Sequence, residues 1–292
     1  MRDNQQAGAQ AAFALPDHTV IELHGPDATG FAQAQFMSDV AALPCGHWHW
    51  SGWLTPKGRV VAVFAVLKLA DERLWLLLPD APPTPLADAL RRFVFRSKVT
   101  IAVRDDLHVQ GTFAAAESAS GSAIAGDADG DAAIELDFSA AGGERSVIIG
   151  REAAASSDPD VARWTAFDLA HGLPRLDAAQ AGHWTPQQLS LERLRAFSIK
   201  KGCYPGQEIV ARTHFLGKAK RGLVLIESDQ PLAAGAQLRA DEVALGSLVA
   251  ATSTPDGRHL GLAVVSLERA AGALNIEGIA VREVLLQDGL AR

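Results

Sequence analysis

The chain has 292 residues, of which 48% are hydrophobic and 21% charged, and it carries a formal net charge of −7. This balance is that of an ordinary globular protein and argues against one that coats nucleic acid over its whole surface. Two cysteines, Cys45 and Cys203, are too few for a disulfide framework, so we expect a reducing, cytoplasmic compartment. Residues 1–16 lack the apolar core of a signal peptide, and no apolar run reaches the ~18 residues of a membrane span.

The first two thirds of the chain alternate between strand-like and helix-like patterns. Strands are expected at 20–23, 47–54, 59–69, 73–78 and 99–103, and helices at 28–40, 86–94 and 160–171. Residues 114–131 are rich in Ala, Ser, Gly and Asp, with almost no large apolar residues, so we expect a mobile loop or insertion there. Residues 178–188 show no regular period.

The pattern changes after Gly217. Short β-rich segments separated by turns follow, at 222–227, 236–239, 246–251, 261–265 and 279–284. Such spacing is typical of a small antiparallel barrel or sandwich. We therefore expect a first region over residues 1–217 and a C-terminal β-barrel over residues 218–292.

Cys203 lies in the most basic window of this acidic chain. Between Arg193 and Arg221 there are eight Lys or Arg and a single acid, Glu208. Such a window is either a solvated positive face or a site for an anion, and the candidate anions are a carboxylate-bearing ligand, a phosphate and RNA.

The residues around Cys203 predict a tight turn followed by a helix. Residues 204–207, Tyr-Pro-Gly-Gln, fit a type II turn because Pro presets φ at the second position and Gly supplies a positive φ at the third. A helix over 207–215 would place Cys203 just before its N-terminus, where the helix dipole, Lys200 and Lys201 would favour a thiolate. The residues alone leave two interpretations open: a reactive thiol, or a buried structural cysteine beside the turn.

Other candidate sites are weaker. Cys45, His47 and His49 alternate on one predicted strand, but such residues rarely converge on one ion. The run 127–131 resembles part of a calcium loop without its Glu in register. We therefore expect no metal site, and the absence of phosphate-binding glycine motifs argues against a nucleotide cofactor.

Residues 201–208 read K-G-C-Y-P-G-Q-E, which resembles the K-G-C-Y-x-G-Q-E signature of the YgfZ family. These are folate-binding proteins related to the aminomethyltransferase (T-protein) of the glycine cleavage system. Further segments resemble the family in the same order, at 25–40, 57–59, 95–99, 172–174 and 186–187. The resemblance covers most of the chain and is weakest in 105–160 and in the C-terminal barrel.

The resemblance implies an α+β fold, in which a ring of α/β subdomains surrounds a central pocket and a small antiparallel β-barrel follows. It implies that the chain binds tetrahydrofolate and supports assembly or repair of iron–sulfur proteins, such as methylthiotransferases, and through them tRNA modification. It makes Cys203 the expected reactive thiol. The residues expected to bind the cofactor are Lys200, Lys201, Tyr204, Gln207, Glu208, Arg212, Lys57 and Gln35.

One departure from the aminomethyltransferases bears on mechanism. Their hairpin carries a catalytic Asp shortly beyond a Gly-Gly pair, whereas residues 57–62 here hold no carboxylate. A transfer that needs an acid or base beside folate N5 or N10 lacks its group. We therefore expect an accessory factor, non-catalytic or redox-active. The alternatives are a folate-dependent one-carbon transferase and a tRNA-binding protein with a weak contact through the basic window.

Overall fold

The computed structural model describes residues 11–126, 133–217, 219–269 and 272–292. The strands are β1 Phe13–Ala14, β2 Thr19–His24, β3 His47–Leu54, β4 Val60–Ala70, β5 Arg73–Leu78, β6 Thr100–Val103, β7 His108–Thr112, β8 Ile134–Asp137, β9 Ser146–Gly150, β10 Arg221–Ser228, β11 Gln237–Ala240, β12 Val243–Ser253, β13 His259–Ser266, β14 Leu274–Ile276 and β15 Ile279–Val284. The helices are α1 Ala28–Gln35, α2 Pro83–Arg91, α3 Asp158–Ala170 and α4 Gln207–Leu216. Within these ranges, no helix is long and apolar enough to cross a bilayer.

The first unit is a five-stranded antiparallel sheet in the order β3-β4-β5-β2-β6. Its strand β4 is apolar on both faces: Val63 and Ala65 belong to one buried cluster, and Ala62 and Phe64 to the other. Successive side chains of a strand point to opposite faces, so the continuous apolar run of β4 reflects a sheet that is buried on both sides. The helices α1 and α2 cover one of these faces.

The helix predicted over residues 28–40 ends at Gln35, so this prediction is wrong for its last turn. Phe36 has an extended backbone (φ −92°, ψ 157°) and forms an isolated antiparallel bridge with Trp53. The Met37 N–H then donates to the Gly52 carbonyl at 3.1 Å. Pairing with β3 therefore overrides the local helical pattern.

The second unit is the antiparallel sheet β1-β7-β9-β8, against which α3 packs. The mobile loop expected over residues 114–131 stays a prediction, and two carboxylates of β8 accept hydrogen bonds from part of it. Glu135 accepts hydrogen bonds from the N–H groups of Glu117, Ser118 and Ala119 at 2.7–2.9 Å, and Asp137 accepts one from Gly121 at 2.8 Å. Residues 127–131 of that prediction lie outside the described residues.

The third unit is a closed antiparallel barrel, β10-β13-β12-β11-β14-β15, which confirms the predicted C-terminal barrel. Its interior is filled by Val224, Ile226, Leu248 and Val265 among others. Residues beyond Val284 leave the barrel and return to the first sheet, where the Trp50 indole N–H donates to the Leu290 carbonyl at 2.8 Å. The division into regions near residue 217 stays a prediction.

A buried ion network joins the first two units. Arg145, with no exposed surface, donates to Asp168 of α3 at 2.5 Å, and Arg175 donates to the same carboxylate at 3.1 Å. Arg175 also pairs with Asp80, which follows β5, at 2.7 Å. The Arg145 guanidinium lies 4.3 Å from the Trp164 ring centroid. Two carboxylates thus balance two buried arginines, and Asp168 is shared by both.

Candidate functional site: the cysteine loop and two adjoining cavities

The cysteine loop, residues 198–208, contains the type II turn that the sequence predicts. Gly206 has φ +78° and ψ 1°, which are the values for the third position of that turn. The Gln207 N–H closes the turn by donating to the Tyr204 carbonyl at 3.2 Å. Gly206 is then the N-cap of α4, so the helix begins where the sequence places it.

Lys201 is buried, with only 6% of its surface exposed. Its Nζ donates to the carbonyl oxygens of Gln33, Phe36 and Ser38 at 2.5, 2.6 and 2.8 Å. Burial lowers the pKa of Lys201 to about 8, against the opposing effect of the Asp39 carboxylate. The last carbonyls of a helix have no partner within it, so this ammonium caps the C-terminus of α1. All three of its N–H groups are in use, and a ligand carboxylate would have to displace a carbonyl.

Two further residues of the predicted ligand set also point into the loop. The Tyr204 hydroxyl donates to the Ser198 carbonyl at 3.1 Å, and burial raises the pKa of Tyr204 to about 12. Its ring centroid lies 5.0 Å from Lys201 Nζ, within range of a cation–π contact. The Gln207 amide donates to the Lys201 carbonyl at 3.2 Å, and the Ser198 N–H donates to Met37 O at 2.8 Å. These contacts fix the loop against the end of α1.

The outward side of the loop carries the other predicted residues. Lys200, Cys203, Glu208 and Arg212 are all exposed. The interpretation of Cys203 as a buried structural cysteine is therefore wrong. Its thiol faces solvent from a loop that Lys201 holds in place, and its chemical role stays a prediction.

The predicted hairpin meets the cysteine loop through two glycines. A Cβ on Gly206 would lie 2.6 Å from the Gly58 Cα and 2.7 Å from Thr55 O, closer than real Cβ atoms approach. A Cβ on Gly58, whose φ is +67°, would lie 2.7 Å from the Ile209 Cβ. Glycine is thus required on both sides of the contact. Lys57, exposed at the hairpin tip, lies beside the cysteine loop as a result.

An apolar cavity of about 240 Å³ lies beside the hairpin strand. Val61 and Ala62 line it, and they belong to the stretch that lacks the aminomethyltransferase carboxylate. Trp53, Leu86 and Ala181 line it as well. The indole N–H of Trp53 is buried and has no hydrogen-bond partner among the described residues. A flat ligand with one acceptor at its edge would satisfy that donor.

A second cavity, of about 440 Å³, adjoins the first and is called here the arginine cavity. Asp27, Gln35, Phe93 and Arg96 line it. The Phe93 ring makes an edge-to-face contact with Trp53, at 5.8 Å between centroids, so one lining residue of each cavity touches the other. The Gln35 side-chain oxygen is buried and, within the described ranges, lacks a hydrogen-bond partner. Gln35 is the one residue of the predicted ligand set that lines either cavity.

Sequence reasoning missed Trp53, Phe93 and Arg96 as candidate ligand residues. The signal was available for Arg96, because it lies inside the segment 95–99 that resembles the family. Trp53 immediately precedes the hairpin, but a Trp in a buried strand is more often part of the core. Phe93 gave no signal beyond its place at the end of an amphipathic helix.

Cys45 and the two histidines of β3, His47 and His49, are not arranged around a common point. His49 is hydrogen-bonded to the Ser38 hydroxyl at 2.8 Å, and burial lowers the pKa of His49 to about 4. His47 instead contacts the carbonyl of Cys45, and the Cys45 thiol lies 3.8 Å from an Asp71 oxygen. Among the described residues, no group of three or more His, Cys, Asp and Glu is arranged to hold a metal ion. The run 127–131 lies outside those residues.

Comparison with solved structures identifies the fold. The glycine cleavage system aminomethyltransferase T from Bartonella henselae matches with a TM-score of 0.75, over 96% of this chain and 88% of that one, at 14% identity. The chain therefore has the aminomethyltransferase fold, as the sequence predicts.

Comparison with curated proteins then gives the family, although no family model matches the chain. A tRNA-modifying protein YgfZ from Cronobacter sakazakii is 30% identical over 289 residues, which cover 90% of this chain and 86% of the relative. Another, from Serratia proteamaculans, is 31% identical over 234 residues, which cover 74% and 70%. The chain belongs to the YgfZ family.

Proposed function

We propose that this protein binds a reduced folate, tetrahydrofolate, and serves as an accessory factor for iron–sulfur proteins, and through them for tRNA modification. One observation carries the folate part of the proposal. In an aminomethyltransferase fold, the stretch that would hold the reacting carboxylate instead lines an apolar cavity with Val61 and Ala62. The site keeps a place for the ligand and lacks the group that would act on it.

The apolar cavity suits the pterin ring. Typical small-molecule sites measure roughly 300–1,000 Å³, so a cavity of about 240 Å³ holds the bicyclic ring and not the whole folate. Trp53 would supply the buried indole N–H to an acceptor at the ring edge. Leu86 and Ala181 would cover the rest of the ring.

The arginine cavity suits the remainder of the ligand. The exposed part of the Phe93 ring would pack on the p-aminobenzoyl ring, because Phe93 lines this cavity and contacts Trp53 of the first one. The Arg96 guanidinium would bind the glutamyl carboxylates, for which its planar fork is well shaped. The unpaired Gln35 oxygen would accept a hydrogen bond from a ligand N–H.

The apolar stretch also favours binding over transfer. A tetrahydrofolate supplies one-carbon chemistry at N5 and N10, but Val61 and Ala62 can neither donate nor accept a proton there. The alternative, a one-carbon transferase, predicts folate-dependent release of formaldehyde or ammonia from a donor. We expect no such release from the purified protein.

Titration calorimetry with tetrahydrofolate tests the binding site. We expect Ala181→Phe, which fills the apolar cavity, to abolish binding, while Ala179→Phe on the exposed side of the same segment leaves it unchanged. Arg96→Ala should weaken binding about tenfold or more, because a hydrogen bond to a charged group contributes ~1.5–3 kcal/mol. Arg92→Ala, exposed and outside both cavities, is its matched control.

Absence of binding by the unaltered protein at high micromolar folate would sink the cavity assignment. Equal losses in Ala181→Phe and Ala179→Phe would place the ligand elsewhere.

The accessory role is assigned to Cys203, whose exposed thiol can reach another protein. Cys203 lines neither cavity, so the partner of its thiol is a client iron–sulfur protein rather than the folate. In a strain that lacks its own such protein, Cys203→Ala should fail to restore methylthiolation of tRNA. Cys45→Ala, the other exposed cysteine, should restore it. Full restoration by Cys203→Ala would show that the thiol is dispensable.

A further inference from the structure

The helix α4, which follows the cysteine loop, presents most of its surface to solvent. Of its side chains that the structure describes, only Val210 is buried. Phe215 is 69% exposed, and its only ring contact among the described residues is an edge-to-face one with His214, at 5.1 Å between centroids. One face of the Phe215 ring is therefore open to a flat partner.

Exposed cations precede and follow this ring along the chain, and Glu208 is the single acid of the window from Arg193 to Arg221. Arg212 is exposed and lies one turn before Phe215, on the same side of the helix. Lys200 is exposed before the helix, and Lys220 and Arg221 are exposed after it. Within the described residues none of these four forms an ion pair, whereas exposed arginines elsewhere, such as Arg91 and Arg163, do. An unpaired basic patch on a chain of net charge −7 favours a polyanionic partner.

We propose that this surface, made by Lys200, Arg212, Phe215, Lys220 and Arg221, docks a single-stranded segment of RNA. A base stacks on the open face of Phe215, and the phosphates contact the surrounding cations, which is the usual combination for single strands. An acidic protein fits less well, because a protein interface needs a broader apolar centre than one ring. The contact is direct and does not depend on folate, so it adds to the indirect route to tRNA proposed above.

The chain provides its own control for the ring. Phe95 is 85% exposed, but the guanidinium of Arg96 lies over it, 5.3 Å from the centroid. Exposure alone would make Phe95 and Phe215 equivalent. A base would have to compete with Arg96 for the Phe95 ring, whereas no cation–π contact occupies the Phe215 ring among the described residues.

Fluorescence anisotropy with a labelled, unstructured oligoribonucleotide of roughly 12 nucleotides tests the proposal on the full-length protein. Phe215→Ala should weaken binding about 5- to 150-fold, which corresponds to ~1–3 kcal/mol per stacked base. Phe95→Ala should leave affinity within about twofold. Arg212→Gln should reduce the slope of log affinity against log salt by about 0.7, the value for one phosphate contact on a single strand. Arg92→Gln should leave that slope unchanged.

Three results would overturn the proposal. The first is no RNA binding at ~50 mM salt, where phosphate contacts are strongest, and the second is an equal loss of RNA affinity in Phe215→Ala and Phe95→Ala. The third is equal affinity for a Glu-rich peptide of the same length and charge, with the same loss of affinity in Phe215→Ala. The last result would assign the surface to an acidic protein. Folate calorimetry on Phe215→Ala is expected to be unchanged, so failure here leaves the folate site standing.

Discussion

Replacing Lys201 by Met should detach the cysteine loop from α1. Met has a similar length and keeps the apolar part of the path, but it leaves three carbonyl oxygens without their donor. Two of these hydrogen bonds are buried and the one to Gln33 is partly buried. An unsatisfied buried acceptor costs ~1–3 kcal/mol, so two of them predict a loss of about 2–6 kcal/mol in the free energy of unfolding.

Urea unfolding followed by tryptophan fluorescence measures this loss, with Lys200→Met as the matched control. Lys200 is the exposed neighbour, so its substitution should change stability by less than about 0.5 kcal/mol. Amide exchange gives a local readout, because the Ser198 N–H donates to Met37 O at 2.8 Å and should lose protection only in Lys201→Met. Equal stability of the two variants would refute the capping role of Lys201.

The pH dependence gives the same prediction an independent check. The pKa of Lys201 is about 8 in the folded protein, below its ordinary value of 10.5. Above pH 8 the unfolded chain therefore holds a proton that the folded protein has lost, so this group makes stability rise with pH. The stability difference between the unaltered protein and Lys201→Met should widen between pH 7 and about 9.5. Tyr204, whose pKa is raised to about 12, lowers stability from about pH 10 upwards, but it is present in both proteins and cancels in this difference.

Three further predictions concern other parts of the structure. Asp168→Asn leaves two buried arginines without their shared carboxylate, so it should lower the free energy of unfolding in urea by about 3–5 kcal/mol. Asp106→Asn, which removes an exposed carboxylate, should lower it by less than about 1 kcal/mol. Similar losses in the two variants would contradict the importance of the buried network. Gly206→Ala should destabilise the protein by at least about 1–2 kcal/mol in thermal unfolding, because Gly206 has a positive φ and contacts the hairpin. Gly202→Ala is the control and should be neutral, because a Cβ there meets nothing within 4 Å. Equal melting temperatures of the two variants would argue against the contact. The pKa of His49 falls from 6.5 to about 4 on folding, so the free energy of unfolding should drop as pH falls from 6.5 towards 4. His49→Gln should make that decline shallower. An unchanged decline would count against burial of the neutral imidazole.

The parts of the site that depend on neighbouring residues were predictable from the sequence. Pro205 and Gly206 determine the type II turn, and the turn determines where α4 begins. The strands of the first sheet followed in the same way from their period and the turn residues between them, and the family signature supplied the fold. No strand of the sheet β1-β7-β9-β8 was predicted. None of these inferences needed a distant residue.

Contacts between distant residues were not predictable. Lys201 is separated by more than 160 residues from each carbonyl it binds, and no pattern of charge or period couples them. For the same reason the sequence could not show that Phe36 would leave the helix to pair with Trp53, nor that Glu135 would accept hydrogen bonds from residues 117–119. The capping of α1 by Lys201 is therefore visible only in the folded structure.

The hydrogen bond between Trp50 and Leu290 affects the order in which the protein matures. The two residues are 240 positions apart, so during synthesis the Trp50 indole waits for its acceptor until the barrel strands have been translated. The first sheet therefore gains this hydrogen bond only after the last residues of the chain have been translated, so its final contacts form later than its strands.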